Sequence, residues 1–367
     1  MSVFHNNVIA GAAGQGGAAA AEYVIPKSLR FNSGDSSYLS KTPSSAGNRR
    51  TWTWSGWVKK SEIISSGDRQ IFGSDSSGGA EFNGIAFVST NALNFRFNDS
   101  GSLQIRSSAL HRDPGAWMHI VCVADTTQST ASDRLKMYVN GVQVTDFSSS
   151  TYPAQNAESS INSTQTHEIG RRAEDGGQYF NGYLADIQFV DGQALAPTDF
   201  GEYDDNNVWQ PKEASFTSPN NGTTWSSDLT ATSSGAYFAS GAGAADAFDG
   251  NLDNSAQSEP NGSTITFSPT GGIAVSTSLR VYRGSDSTSN TVNVSVNGGS
   301  AVTFARGSWV DLSFTGTLTS LAVSSPSANP GLSAVEVDGV ILVDGAGKYG
   351  KNGFHLNFSD SSTNGAL

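Results

Sequence analysis

The sequence predicts an all-β protein: an antiparallel jelly-roll sandwich followed by a second, smaller β-sandwich, with an extended N-terminal arm in front. Three observations carry this expectation. Short segments alternate apolar and polar residues with a period of two, Asn-Gly and Asp-Gly pairs punctuate them, and no long segment repeats with helical period. At 367 residues the chain can bury two cores without disulfide staples. Its single cysteine, Cys122, excludes an intrachain bridge and, within the apolar run MHIVCVAD, reads as a small buried hydrophobe.

Residues 1–23 form the expected arm. They are rich in Gly and Ala, so ordering them alone costs too much backbone entropy, and a partner surface would have to supply the compensation. No basic segment precedes a continuous apolar one, so no secretory signal is read, and no stretch reaches the length of a membrane span. Residues 24–207 form the first sandwich, with strands in TWTWSGWV, NGIAFVS, ALNFRFN, SLQIRSS, WMHIVCVAD, LKMYVNG and YLADIQFV. Asn83-Gly84, Asn140-Gly141 and Asn181-Gly182 are expected as two-residue turns, because both residue types tolerate positive φ. The only helix expected is a turn in APTDFGEY, where Pro197 suits a first helical position.

A Pro-containing link near residues 208–213 leads to the second sandwich, residues 214–345. Its strands lie in STITFSP, TSLRVYRG, TVNVSVNGG, AVTFARG, WVDLSF, SLAVSS and SAVEVDGVILVDG, with turns at Asn297-Gly298 and Asp338-Gly339. Residues 346–367 resume an alternation at Phe354, Leu356 and Phe358. That segment either returns to pair with the first sandwich or leads into a further part of the protein.

The stretch RRTWTWSGWVKK sets a question of its own. Successive strand residues point to opposite faces, so Trp52, Trp54, Gly56 and Val58 share one side, opposite Thr51, Thr53, Ser55 and Trp57. Trp52 and Trp54 are therefore expected in the core. Trp57 is the ring left for a sugar contact, the alternative being a place under a loop.

The order of several segments is specific. LRFNSGDSSYLS, TWTWSGWVKK, GAWMHIVCVAD, RLKMYVNGVQV, HEIGRR and YFNGYLADIQFVDGQAL together resemble the laminin-G-like, concanavalin A-like jelly roll, over about residues 27–203. That resemblance implies a module that binds glycans, binds proteins or serves as architecture, and fold alone does not choose among these. SVFHNNVIAGAAGQGG, GNRRTWTWSGWVKK and WQPKE resemble virion proteins of tailed bacteriophages, particularly marine ones, and SAVEVDGVILVD is similar to a β-module recurring in such proteins. The implied role is a virion-surface structural protein: a tail fibre, appendage or head decoration, homo-oligomeric, attached to capsid or tail subunits through the arm, and contacting host glycans. The alternative is a free glycan-binding adhesin.

Charge and motifs narrow the chemistry. With 21 basic and 33 acidic residues the net charge is 21 − 33 = −12, which argues against nucleic-acid and anionic-membrane partners. Glucanase relatives carry two carboxylates on one strand as Glu-x-Asp-x-Glu. Here the nearest string is VEVDGV, where Asp338 reads as a turn residue beside Glu336. His5, His111, His119, His167 and His355 show no metal-ligand spacing, and no Gly-x-Ser-x-Gly elbow occurs. No catalytic residue is assigned and an enzyme is not expected.

Binding candidates lie in loops. Asp75 in GSDSSGG, and Arg171, Asp175 and Tyr179 in RRAEDGGQYF, suit a glycan at the jelly-roll rim, Arg and Tyr for hydroxyls and ring stacking, Asp for hydroxyls or calcium. The plainer alternative is a solvated connection. In the second sandwich ADAFDGNLDNS resembles the early loop of discoidin-type sugar-binding sandwiches, without their following Trp. Asp249, Asn251 and Asp253 would be its calcium ligands, against a favoured reading as a run of Asx turns. No cofactor is required; calcium is the one ion suggested.

Overall fold

The computed structural model describes residues 23–75, 83–98, 103–173, 176–233, 236–284, 291–325 and 328–359. The expected arm, apart from Tyr23, lies outside the described residues. The first body is built from β1 (Leu29–Phe31), β2 (Leu39–Lys41), β3 (Thr51–Lys60), β4 (Arg69–Ser74), β5 (Asn83–Phe87), β6 (Ala92–Asn98) and β7 (Leu103–Leu110). It continues with β8 (Met118–Asp125), β9 (Leu135–Val139), β10 (Val142–Gln143), β11 (Phe147–Thr151), β12 (His167–Ile169) and β13 (Gly182–Asp191). One sheet runs β1-β13-β3-β8-β9-β10 and the other β11-β7-β6-β5-β4-β12-β2.

Between these sheets lies the core that the tryptophan alternation predicts. Trp52 and Trp54 are fully buried. Trp52 meets Phe95 edge-on with centroids 5.4 Å apart, and Trp54 stacks on Phe72 at 6.3 Å. Gly56 makes room for this: a Cβ there would stand 2.7 Å from the Trp54 indole. Cys122 is buried in the same core, where the apolar surroundings push its thiol pKa up.

The opposite face of β3 is buried as well. Thr53 and Ser55 are covered by the chain that follows β13, through Leu195, Phe200, Trp209 and Phe216. Thr53 Oγ1 donates to the Gln193 carbonyl at 2.7 Å and accepts from the Leu195 N–H at 2.9 Å. The small polar row thus fastens a third layer rather than facing water.

A separate core holds the second body, with Trp225, Phe248, Phe267, Leu279, Val281, Leu321 and Val335 among its members. It lies between a five-stranded sheet (Leu229–Thr232, Thr264–Phe267, Leu321–Ser324, Thr291–Val296, Val302–Ala305) and a four-stranded one (Ser308–Asp311, Leu279–Arg283, Ala334–Val337, Val340–Ile341). The chain then returns to the first body. Its terminal strand, Phe354–Leu356, pairs with β13 at Ile187–Phe189, on the edge whose other part carries β1.

The turn signals divide cleanly. Asn140-Gly141, Asn297-Gly298 and Asp338-Gly339 all take positive φ between paired strands. Asn83-Gly84 and Asn181-Gly182 are not turns. Asn83 and Gly84 open β5, where a Cβ on Gly84 would stand 2.0 Å from the Phe72 carbonyl oxygen, so that glycine serves close strand approach. Gly182 opens β13 and would bring a Cβ to 2.2 Å from the Lys59 carbonyl oxygen. The expected turn at Pro197–Asp199 is a single 3-10 turn, and it is not alone: Ser33–Asp35, Ala131–Asp133, Trp225–Asp228 and Ala244–Ala247 are others.

Candidate functional site

A cleft of about 440 Å³ opens between the two bodies. One wall is the loop before β3, including Arg49 and Arg50, together with Glu158; the other is the loop 250–253 with Arg280, Trp309 and Glu336. Both walls are positioned by buried structure. Asp191, at the end of β13, accepts from the Asn48 N–H at 2.8 Å, the Asn162 amide at 2.6 Å and the Asn352 N–H at 3.2 Å. Burial raises the Asp191 carboxyl pKa, and these donors partly offset that. Gly47 is required beside it, since a Cβ would stand 2.1 Å from Asp191 Oδ2. Asn48 then donates its amide to the Gly339 carbonyl at 2.6 Å, tying the loop to the second body.

The cleft is lined by paired charges and one indole. Arg49 and Arg50 both meet Glu158, at 3.0 and 3.2 Å. Arg280 grips Glu336 with two nitrogens, at 2.7 and 2.6 Å, and its guanidinium lies 5.0 Å from the Trp309 ring centre. Burial raises the Glu336 pKa while Arg280 pulls it back. Three arginines face Glu158, Asp253 and Glu336, so the lining is charge-balanced. Fixed guanidinium and carboxylate groups of this kind donate to and accept from hydroxyls, and an indole gives an apolar ring face its contact. The volume lies in the usual range for a small-molecule site.

The structure brings Asn251 and Asp253 to this cleft, in a loop of Asx turns. Asp249 Oδ1 accepts from the Asn251 N–H at 2.7 Å, Asn251 Oδ1 accepts from the Asp253 N–H at 3.0 Å, and Asp249 Oδ2 takes the Asn254 amide at 2.9 Å. Lys351 Nζ donates to the Asp249 backbone carbonyl at 2.6 Å. The Asp249 and Asn251 side-chain oxygens thus accept within successive Asx turns. Among the described residues no group of three or more His, Cys, Asp or Glu side chains is placed to hold a metal.

Of the rim candidates, Arg171 and Tyr179 come together, and none of the described ones lines the cleft. Trp57 stacks on His119 at 5.1 Å, and His119 stacks on Trp209 at 5.9 Å. His119 is fixed between Ser55 Oγ at 2.8 Å and the Trp209 indole N–H at 3.1 Å, and burial drives its pKa down to about 3. Trp57 is a half-buried end of that stack, not a free platform. Arg171 forms a two-pronged bridge to buried Glu168, lies 3.5 Å from the Tyr38 ring centre and bonds to Tyr179, which lowers the phenol's pKa. Asp75 is half-buried, its N–H on the Thr166 carbonyl. Asp175 lies outside the described residues.

Asp338 is the turn residue the sequence indicates: burial raises its pKa, but the N–H groups of Ser278, Thr277 and Ser276 outweigh this and hold the carboxyl below its ordinary value. Sequence reasoning missed Arg49, Arg50, Glu158, Arg280 and Trp309. The available signal was the basic pair that opens RRTWTWSGWVKK; nothing local joins it to a tryptophan some 260 positions later.

Residues 32–199 match the family model described as the concanavalin A-like lectin/glucanases superfamily. No curated protein matches the chain. Among solved structures, a heptameric SAP-like pentraxin from Limulus polyphemus is similar at 19% identity and a TM-score of 0.33, over 48% of this chain and 75% of that one. A putative carbohydrate-binding protein from Bacteroides ovatus is similar at 14% identity and 0.31, over 47% of this chain and 44% of that one. Tailspike protein 2 of bacteriophage CAB120 is similar at 14% and 0.33, over 47% of this chain and 23% of that one. The part of the chain carrying β3, β8 and β13, with the indoles of Trp52 and Trp54 closed between two antiparallel sheets, thus has the lectin-like concanavalin A-type fold.

Proposed function

We propose that this protein is a non-catalytic, glycan-binding structural component of a bacteriophage surface, a tail fibre, appendage or head decoration, and that its inter-body cleft takes a neutral saccharide. The observation that carries the saccharide reading is the charge-balanced cleft in which Trp309 stands beside arginine–carboxylate pairs. A net-neutral lining of hydroxyl-competent groups favours uncharged polyols over ions. Against hydrolysis stands the state of Glu336, both of whose oxygens are held by Arg280. The particle reading is supported by the sequence resemblance of the opening segment and of RRTWTWSGWVKK to virion proteins, and it makes the protein a homo-oligomer attached through its Gly- and Ala-rich first residues.

An array of neutral and acidic oligosaccharides tests the first part. The full chain should retain a subset of neutral glycans, Trp309→Ala should weaken them about tenfold, the worth of a lost ring contact, and no glycan should be cleaved. Retention unaffected by Trp309→Ala would overturn the cleft assignment. Deleting residues 1–22 tests the second part: incorporation into particles should fail while glycan retention persists; unchanged incorporation would overturn attachment through these residues, and a protein found only free of particles would favour a free adhesin.

A further inference from the structure

The outer face of the β1-β13-β3-β8 sheet is covered along part of its length by Leu195, Phe200, Trp209 and Phe216, and beyond the Trp57–His119 row that cover stops. The next cross-strand row is Tyr183, Lys59 and Trp117, with Arg30 of β1 beside Tyr183. Trp117 is 38% exposed, although it adjoins a strand whose residues are almost all buried. The Arg30 guanidinium lies 5.0 Å and the Lys59 ammonium 5.9 Å from the Tyr183 ring centre, and Trp117 lies 6.5 Å from that ring at 58°.

These cations differ from the arginines of the cleft. Arg30 donates to Ser61 Oγ at 2.9 Å and Asn181 Oδ1 at 3.1 Å, and among the described residues neither Arg30 nor Lys59 has a carboxylate partner. In a chain of net charge −12, two unpaired cations on an aromatic surface form a local positive site. A neutral hydroxyl and a neutral amide oxygen fix Arg30 without cancelling its charge. The two rings hold an apolar sugar face, and the cations are placed for an anion attached to it.

We propose that this open end of the sheet is a second sugar site, selective for pyranoses that carry a carboxylate. The ring stacks on Trp117 and the carboxylate is taken by Lys59 and Arg30. It shares no residue with the cleft, so one copy of the chain holds acidic and neutral sugars at separate places.

The experiment uses the full chain on an array of uronate-containing and sialylated oligosaccharides, each beside its carboxyl-reduced counterpart. A set of acidic glycans should be retained and their reduced counterparts lost. Affinity should fall about tenfold in Trp117→Ala and several-fold in Lys59→Gln, and it should weaken as salt rises toward about 0.5 M. Both residues are at the surface, so unchanged urea midpoints establish that the variants are folded. Trp309→Ala should leave the acidic set untouched, which separates this site from the cleft. No retained acidic glycan, or a set retained equally by Trp117→Ala and Lys59→Gln, would overturn the proposal.

Discussion

Two of the buried histidines set how the protein responds to acid. Burial depresses the pKa of His119 to about 3 and that of His167 to about 4, from an ordinary value of 6.5. Between those values the unfolded chain binds the protons and the folded chain does not, so stability rises with pH across the window and is lost as pH falls from 6.5 toward 3. Urea unfolding at pH 7 and pH 4 should differ by several kcal/mol from these groups together, and His119→Gln should remove roughly 2–3 kcal/mol of that difference. An acid sensitivity unchanged in His119→Gln would show that this imidazole is not held neutral. Gly56 gives a second check. A methyl group there meets the Trp54 indole at 2.7 Å, and Gly56→Ala should cost about 1–3 kcal/mol in a urea titration.

The strands show why some segments are legible in sequence and others are not. ALNFRFN reads as a strand because Leu93, Phe95 and Phe97 enter the core while Asn94 and Arg96 alternate with them, and it forms β6 as read. FSSST has no such apolar row beyond Phe147; pairing with β7 makes it β11, a long-range cause that composition does not carry. The same limit applies to the cleft. The loop of Asp249, Asn251 and Asp253 is legible as polar and Asx-rich, and the Asp249 and Asn251 oxygens accept within its turns, but nothing local says that it lines a cleft. Alternation also places Tyr183, Lys59 and Trp117 on one face, but only the path of the chain through Phe200 and Phe216 decides which part of that face stays open. The terminal strand carries its own expectation. Half-buried Phe354 packs on Phe72 and Phe189 with centroids 6.5 and 5.8 Å apart, so Phe354→Ala should cost about 2 kcal/mol, read from the urea midpoint.

The two cores communicate through a narrow polar seam. Asn48, Asp191, Asn162 and Asn352 form it, with Gly339 the acceptor on the second body. Asp191→Ala leaves the Asn48 N–H and the Asn162 amide without their buried acceptor, a loss of several kcal/mol confined to the seam. Calorimetry should show the two bodies melting closer to independently in that variant than in the parent, and glycans held in the cleft should be lost along with the coupling. A single unchanged transition with full cleft binding would show that the seam does not join the bodies. The long-range partners of this seam, such as Asn48 with Gly339, are set by packing between the bodies, which is why no local pattern in the chain announces them.

The shared edge of β13 has a topological consequence. β1 covers Gly182–Leu184 and the terminal strand covers Ile187–Phe189, both antiparallel to it, so Leu356 and Leu29 meet nearly head to tail across the bulge at Asp186. Asp186 itself accepts from the Tyr23 hydroxyl at 3.1 Å and contacts His355 Nε2 at 2.5 Å, and Lys27 Nζ reaches the Ser359 carbonyl at 3.3 Å. Between Tyr23 and Ser359 the path of the backbone is thereby almost a closed ring. A circular permutant that splices these two strands and opens the chain at the Asn140-Gly141 hairpin should fold to the same architecture, its new ends displaced to the far side of the sheet.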